Sequence, residues 1–591
     1  QRDDLKTTQR CTESKLCKPS ALRAAHLLHK RAAGPSSAPA MTKTTQLAAG
    51  CKRFTPAING VIVAFVLVVP TLVILFGGRI GEQPAVWIKT AVAGIRRGPD
   101  DASFLHRKTT LEERLLGGLL VEGFDQESCH SRYQSAVYRR NPGRKPSQYL
   151  VSKLRSQEAL QRRCGPGTAA YTNALEQLKS GKSVASPECR YLVSISYRGL
   201  GNRIISAASG FLYAVLTDRV FLVDPSTSMD ELFCEPFPDT SWLVPPGFPI
   251  WYQGFYLSTP ERYGKMREDG VLRTDAINGS AAAGELPAFA YVHLDHNQTE
   301  HDKLFFCDDD QRLLSNIQWL LIRSDGYIAP GLFLVEAFQE ELHRLFPERD
   351  AVFHHLGRYL FHPTNRVWGL ITRYYDAHFA WAQRVVGIQV RVPWSESPEV
   401  LKQIKTCTQN ERLLPAVLGE EDEEPLVETT APRPRGGARP TAVLITSLQA
   451  WFYDNMKGMY WERATANGEV VVFDQPSHEE VQRYGVKSHE YKAWAEMYLL
   501  SMADALVTSG ESTFGYVAQG LSGMRAWVLD MGKANSTVGW PCSRDMSMEP
   551  CYHVPPTYGC KRREDAGKIE PHVRHCKDWP TGLKLVDQKD W

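Results

Sequence analysis

The chain has 591 residues, enough for two domains or more. Its hydrophobic content of 43% and charged content of 23% are those of an ordinary globular protein. A formal net charge of only +3 removes the electrostatic support that a nucleic-acid partner needs.

Residues 57–76 carry no charge and are rich in Val, Leu and Ile. That length spans a bilayer core of about 30 Å at ~1.5 Å per residue. A cleaved signal peptide and a buried core helix are the alternatives. A signal core is shorter, and only a weak cleavage site follows Phe76, so the segment reads as one transmembrane helix. The preceding tail, 1–56, holds eleven Lys/Arg against three Asp/Glu, which favours that side as cytoplasmic. The chain opens on Gln1, and Met41 would leave residues 41–56 as a short tail. Residues 1–40 are therefore expected to lie outside the working protein. Residues 77–114 read as a stem.

Two α/β blocks follow, residues 115–380 and 381–591. In the first, 150–164 and 168–178 read as amphipathic helices. Residues 191–196, 204–216 and 220–223 then read as strand, helix and strand, a βαβ unit. Helical text fills much of 333–375. In the second block, short apolar runs near 385–390, 442–446, 470–473, 505–508 and 526–529 alternate with helical text. That is the pattern of a parallel sheet covered on both faces. Residues 408–440, with an acidic run and a Pro-Arg-Gly stretch, read as a disordered insertion.

Ten of the thirteen cysteines lie beyond the apolar segment, and four of them (Cys542, Cys551, Cys560, Cys576) crowd the tail. This reads as a disulfide staple in an oxidising lumen, with zinc as the rival and the pairing left open. Three glycosylation sequons, at Asn278, Asn297 and Asn535, lie on the same side.

Three turns carry the chemistry. Gly199-Leu200-Gly201-Asn202-Arg203 joins a strand to a helix, where glycines allow close approach and a helix N-terminus meets an anion. Arg391 ends an apolar strand and can grip a phosphate through two parallel donors, or pair a surface carboxylate. Ser509, Ser512, Thr513 and Phe514 lie between a strand and a helix, and read either as anion donors or as a plain N-cap. Together they point to a nucleoside diphosphate held between two α/β halves. Glu496, on the amphipathic helix upstream, either holds a phosphate-binding arginine or is solvated.

The stretches at 197–224, 230–243, 360–375, 387–392 and 495–521, with Cys-Glu-Pro-Phe-Pro at 234–238 and Val-Arg-His-Cys at 573–576, resemble the plant xyloglucan fucosyltransferase family. The likeness runs from about residue 115 to 585. It implies a variant GT-B fold, two Rossmann-like domains with a donor cleft between them. It also implies a single-pass type II Golgi membrane protein with a lumenal body, and α-1,2 transfer of fucose from GDP-fucose to a cell-wall polysaccharide. By resemblance, Arg391 is the diphosphate-binding arginine, Asn202 and Arg203 form the second donor turn, and Ser512, Thr513 and Phe514 lie beside the nucleotide; Gly201 and Ser509 join the donor site from the turn reading alone. The family works without a metal or other cofactor, so Asp308-Asp309-Asp310 reads as a polar turn. Asp350, then His362, are the candidates for the catalytic base. Attack opposite the phosphate would invert the anomeric centre. Two departures stand out. Glu511 would set a negative charge near the diphosphate, and Pro393-Trp394 alters the acceptor side. The acceptor is a galactosyl residue of xyloglucan, or a galactosyl or arabinosyl residue of an arabinogalactan-protein glycan. An inactive glycan-binding homologue is the alternative outside enzymes, which would have no use for Arg203, Arg391 and Ser512.

Overall fold

Two parallel sheets organise the chain, and each arises from buried apolar runs. In the first half these are β1 (Tyr191–Ile195), β2 (Val220–Val223), β3 (Phe289–Leu294) and β4 (Trp319–Ser324), in the order β2-β1-β4-β3. The second half holds β5 (Arg384–Gln389), β6 (Thr441–Thr446), β7 (Val471–Asp474), β8 (Ala505–Ser509), β9 (Trp527–Leu529) and β10 (Cys542–Arg544). Their order is β10-β9-β8-β5-β6-β7, with only β10 antiparallel. Runs buried on both faces need no alternation, which is why Val, Leu and Ile dominate. The coordinates are a computed structural model and describe residues 109–139, 143–181, 183, 186–274, 286–392, 396–419, 439–530, 541–556, 560 and 572–587.

The five strands expected in the second half are present, and β10 together with an antiparallel pair, Val573–His575 and Leu583–Leu585, is added to them. The first half has two strands more than expected, β3 and β4. Helix Leu200–Leu216 begins at the glycine turn itself. It lies against helix Thr513–Ser522 of the second half, so the largest hydrophobic core runs through both halves. Helices Val352–Leu360, Asn365–His378 and Lys487–Leu500 complete that core.

Several expectations need correction. Helix Pro398–Asn410 runs into the segment read as disordered, and Leu413, Leu414 and Val417 beyond it are buried. Residues 420–438 of that segment lie outside the described residues. Asp308, Asp309 and Asp310 form the first turn of helix Asp308–Ser315, not a loop turn. Acidic residues suit a helix N-terminus, and Asp310 is held by Arg267 at 2.7 Å.

The tail is not stapled only to itself. Of its four cysteines only Cys551 and Cys576 pair together, while Cys542 bonds Cys407 and Cys560 bonds Cys307 of the first half. Cys129–Cys234 and Cys164–Cys189 complete five disulfides, which leave no sulfur of the ten for zinc. The tail thus clamps both halves. Its buried Glu549 accepts from the Tyr327 hydroxyl at 2.6 Å and the Phe353 amide at 2.8 Å, both in the first half.

Among the described residues no helix is long and apolar enough to cross a membrane. Residues 57–76, the tail before them, the stem up to residue 108, Asn278, Asn535 and Pro393-Trp394 lie outside the described residues. Asn297 is described, and its side chain is engaged. Its Oδ1 meets His293 Nε2 at 2.8 Å and its amide donates to the Tyr256 hydroxyl at 3.2 Å.

Candidate functional site

A cavity of about 120 Å³ opens at the carboxyl ends of β5 and β6, where ligands of open parallel sheets bind. The first half contributes residues 199–202 of the glycine turn. The second contributes Gln389 to Val392, Thr446 to Gln449, Thr513, Phe514 and one side of helix Lys487–Leu500.

Two helix starts meet here. Gly199 and Ser512 are the N-caps of helices Leu200–Leu216 and Thr513–Ser522, and neither makes a side-chain capping bond. The first-turn amides are therefore left for another partner. Gly201 explains how they come so close. A Cβ there would meet Thr513 Oγ1 at 2.7 Å and the Phe514 nitrogen at 3.0 Å. The glycine serves the approach of one helix to the other. Thr513 Oγ1 donates to Asn202 Oδ1 at 3.1 Å across the two halves.

Arg391 lies two residues past β5, in the cavity lining, and is exposed. Its amide donates to Ser509 Oγ at 2.9 Å, which fixes the backbone. Among the described residues no hydrogen bond or ion pair engages its guanidinium. Arg203 is the opposite case. It is buried, its Nη2 lies 2.7 Å from Glu490 Oε1, and its Nη1 donates to the Thr227 carbonyl. Arg203 therefore joins the two halves and does not line the cavity, whereas Glu490 does. Five residues lie between Glu490 and Glu496, the carboxylate considered for that task from sequence.

Glu496 is buried in the lining and accepts from the Ser477 hydroxyl. Burial, opposed by that bond and aided by Glu479, pushes its carboxyl up to about 7. His489 Nδ1, at 3.3 Å, and Lys492 are both spent on Glu479. Gln389 Oε1, Thr446 Oγ1 and Glu490 Oε2 are buried without a partner, and so is Ser512 Oγ.

Of the residues expected from sequence, Gly201, Asn202, Arg391, Thr513 and Phe514 come together in this lining. Ser509 supports it from behind, and Ser512 caps the helix beside it. Asp350 and His362 do not line it. Asp350 is buried under a two-pronged contact from Arg144, with Nη2 to Oδ2 at 2.9 Å. His362 is buried in the first half, and burial together with Arg132, Arg139 and Arg358 holds its ring far below the usual histidine range. Neither is free to take a proton from a bound sugar. Glu511 is also outside the lining. It has a left-handed φ of 63°, and its amide donates to Asp578 at 3.0 Å.

A second polar cluster adjoins the first. Parallel pairing of β3 with β4 sets Asp295 and Asp325 side by side just past the two strand ends. The His296 Nδ1 lies 2.7 Å from Asp295 and 3.1 Å from Asp325. Arg323 reaches Asp295 at 3.3 Å and covers the Tyr197 ring at 3.6 Å from its centroid. Burial and the Asp295 carboxyl push Asp325 up. Burial opposes the shift of Asp295, but hydrogen bonds from Asp325 and His296 hold it low. Asn202 ties this cluster to the cavity by donating to the Asp325 carbonyl at 2.7 Å. Sequence reading missed the pair because only strand pairing brings the two residues together.

Two parallel sheets, a cleft at their strand ends, open helix starts and an unengaged arginine define an α/β protein whose cleft offers hydrogen-bond donors suited to an anionic ligand. The xyloglucan fucosyltransferase family profile matches residues 96–561, and the chain belongs to this family of glycosyltransferases. A galactoside 2-alpha-L-fucosyltransferase of Pisum sativum is 49% identical over 485 residues, covering 81% of this chain and 83% of its own. Fucosyltransferase 2 of Arabidopsis thaliana is 47% identical over 552 residues, covering 90% and 99%. The solved structure of a mutant Arabidopsis thaliana FUT1 in complex with GDP is 48% identical. It superposes with a TM-score of 0.72 and covers 80% of this chain and 100% of that one.

Proposed function

We propose that the protein transfers fucose from GDP-fucose to the 2-hydroxyl of a galactosyl residue on a cell-wall glycan such as xyloglucan, with inversion and without a divalent cation. One observation carries the reading: the unengaged Arg391 guanidinium lies in the same lining as the open start of helix Thr513–Ser522. When the bond from fucose C1 to the β-phosphate oxygen breaks, GDP gains negative charge. Fixed guanidinium and amide donors stabilise that charge as it develops. Arg203 acts at one remove, by holding Glu490 and joining the halves. The Asp295–Asp325 pair, reached through Asn202, accepts the acceptor proton. Arg198, 3.6 Å from Asp325, and Arg323 already balance these carboxylates, which disfavours a cation there.

The membrane reading is also a proposal. Five disulfides require an oxidising compartment, as in the Golgi lumen, and residues 57–76 would anchor the body as a single-pass type II protein.

The test is transfer from GDP-fucose to galactosylated xyloglucan oligosaccharides, with and without EDTA. Expected is an α-1,2-fucosylated product at an EDTA-insensitive rate. No transfer to xyloglucan but transfer to arabinogalactan would move the acceptor class. Loss in EDTA restored by manganese would overturn the cation-free reading.

A further inference from the structure

One turn of the first half, residues 251–256, carries four aromatic side chains. Two of them anchor it. Tyr252 is buried and its hydroxyl donates to Asp224 at 3.2 Å. Phe255 packs against Phe289 and Tyr291, with ring centroids 6.2 and 4.9 Å away. The two rings that flank these anchors stay in solvent: Trp251 is 75% exposed and Tyr256 48%. Both are held in place. The Tyr256 hydroxyl accepts from the Asn297 amide at 3.2 Å, and its backbone N–H donates to Thr259 Oγ1 at 2.9 Å. Trp251 lies against Gly254, where a Cβ would come within 2.3 Å of the indole ring. A single exposed aromatic needs no explanation, but two fixed rings on one anchored turn form a surface that a ligand can cover.

The turn is tied to the Asp295–Asp325 pair. Arg323 donates through Nη1 to the Phe255 carbonyl at 2.8 Å, and its Nη2 reaches Asp295 at 3.3 Å. The same guanidinium lies 6.0 Å from the centre of the Tyr256 ring. Asn297, which holds Tyr256, is two residues beyond Asp295. The strand order gives the direction. In the order β2-β1-β4-β3 the glycine turn follows β1, Asp325 follows β4, and Asp295 follows the edge strand β3. Cavity, carboxylate pair and aromatic turn therefore succeed one another along the strand ends. A ligand that reaches past the pair, away from the cavity, meets Tyr256 and then Trp251.

We propose that Tyr256 and Trp251 form a sugar-stacking subsite for the acceptor glycan, beyond the residue that receives the fucose. This rests on the fucosyl-transfer reading above. A pyranose ring has a face of C–H groups and a rim of hydroxyls. The C–H face covers an aromatic ring and removes water from both, while the hydroxyls stay solvated. Tyr and Trp have only two side-chain torsions each, so covering them costs little entropy. Continuity with the carboxylate pair identifies the occupant: the chain that places a hydroxyl at Asp325 runs on over this turn. Tyr256 takes the nearer sugar and Trp251 one further along. The subsite therefore reads acceptor length, because a short galactoside ends before Trp251.

The purified protein is assayed with GDP-fucose and two acceptors, a galactosyl disaccharide and a galactosylated xyloglucan oligosaccharide, and titrated calorimetrically with the oligosaccharide alone. In wild type the oligosaccharide KM should lie about tenfold or more below that of the disaccharide. Trp251→Ala should raise the oligosaccharide KM about tenfold and keep kcat within about twofold, because a contact made equally in ground and transition states changes KM alone. Its disaccharide KM and its GDP affinity should not move. Trp251→Phe, which keeps a ring, should recover most of the loss. Tyr256→Ala should raise both KM values. An oligosaccharide KM unchanged in Trp251→Ala, or raised equally for both acceptors, would overturn the subsite. Transfer by wild type to the disaccharide with no gain from the longer chain would do the same and leave the fucosyl-transfer reading standing. No transfer to either acceptor would overturn that reading, and calorimetry then decides the subsite. Oligosaccharide binding that Trp251→Ala weakens about tenfold supports it, and unchanged or absent binding overturns it.

Discussion

Replacing Gly201 by alanine tests how the two halves meet at the cleft. The added Cβ would lie 2.7 Å from Thr513 Oγ1, 2.9 Å from the Thr513 carbonyl carbon and 3.0 Å from the Phe514 nitrogen. Ordinary contact needs about 3.5–4.0 Å. Two of those atoms are backbone, so helix Thr513–Ser522 must retreat by roughly 0.5–1 Å. Overpacking of this kind costs about 1–3 kcal/mol, offset by the roughly 0.5–1 kcal/mol that alanine gains over glycine in a helix. The net expectation is a loss of about 1–2 kcal/mol. A large domain unfolds with an entropy of about 2.1 cal/mol/K per residue, so the melting temperature falls by only about 1–3 °C. Nucleotide binding is the sharper readout, because Gly201, Thr513 and Phe514 all line the cavity. GDP affinity should drop about tenfold, the equivalent of about 1.4 kcal/mol. The control for stability is Gly199→Ala, whose Cβ meets side chains alone, the end of Gln482 at 3.2 Å and Asn202 Oδ1 at 3.7 Å, and should leave the melting temperature unchanged. A Gly201→Ala protein that melts and binds GDP like wild type would refute the argument.

Arg203→Met should lose about 3–5 kcal/mol in denaturant unfolding by stranding the buried Glu490, and Arg203→Met/Glu490→Leu should recover most of it. A single variant no worse than the double would contradict the pairing. Burial, opposed by bonds from Tyr327 and Phe353, pushes Glu549 up to about 8 from 4.5. The folded protein therefore holds that proton more tightly than the unfolded chain. The group's contribution is greatest below pH 4.5 and declines as pH rises toward 8, and Glu549→Gln should flatten this decline in melting curves across that window. Asp325→Asn should cut kcat about a hundredfold and abolish the rise of rate with pH, while GDP affinity stays within about twofold. An unimpaired kcat would remove Asp325 from the reaction.

The second sheet is legible because its inner strands β5, β6 and β8 are buried on both faces and read as unbroken apolar runs. β3 and β4 are less legible. Polar residues interrupt their apolar runs near the ends: His293 in β3, which bonds Asn297, and Arg323 and Ser324 in β4, of which Arg323 serves the second cluster. The cleft residues carried on single turns, 199–202 and 512–514, were readable because the turn chemistry is local. Pairings across long separations were not. Arg203 and Glu490 are 287 residues apart, and Cys307 and Cys560 are 253 apart, so nothing in the neighbouring text announces either partner. The same limit explains the base candidates. Asp350 looked like a free loop carboxylate, yet Arg144, 206 residues earlier, occupies both its oxygens.

In the proposed reaction one unengaged guanidinium and an open helix start stabilise the departing diphosphate. A crystal structure of this protein with GDP tests it most directly. The Arg391 guanidinium should lie within about 3 Å of α- or β-phosphate oxygens, with the amides of residues 513 and 514 facing the same group. A nucleotide whose phosphates lie beyond the reach of Arg391 would contradict it.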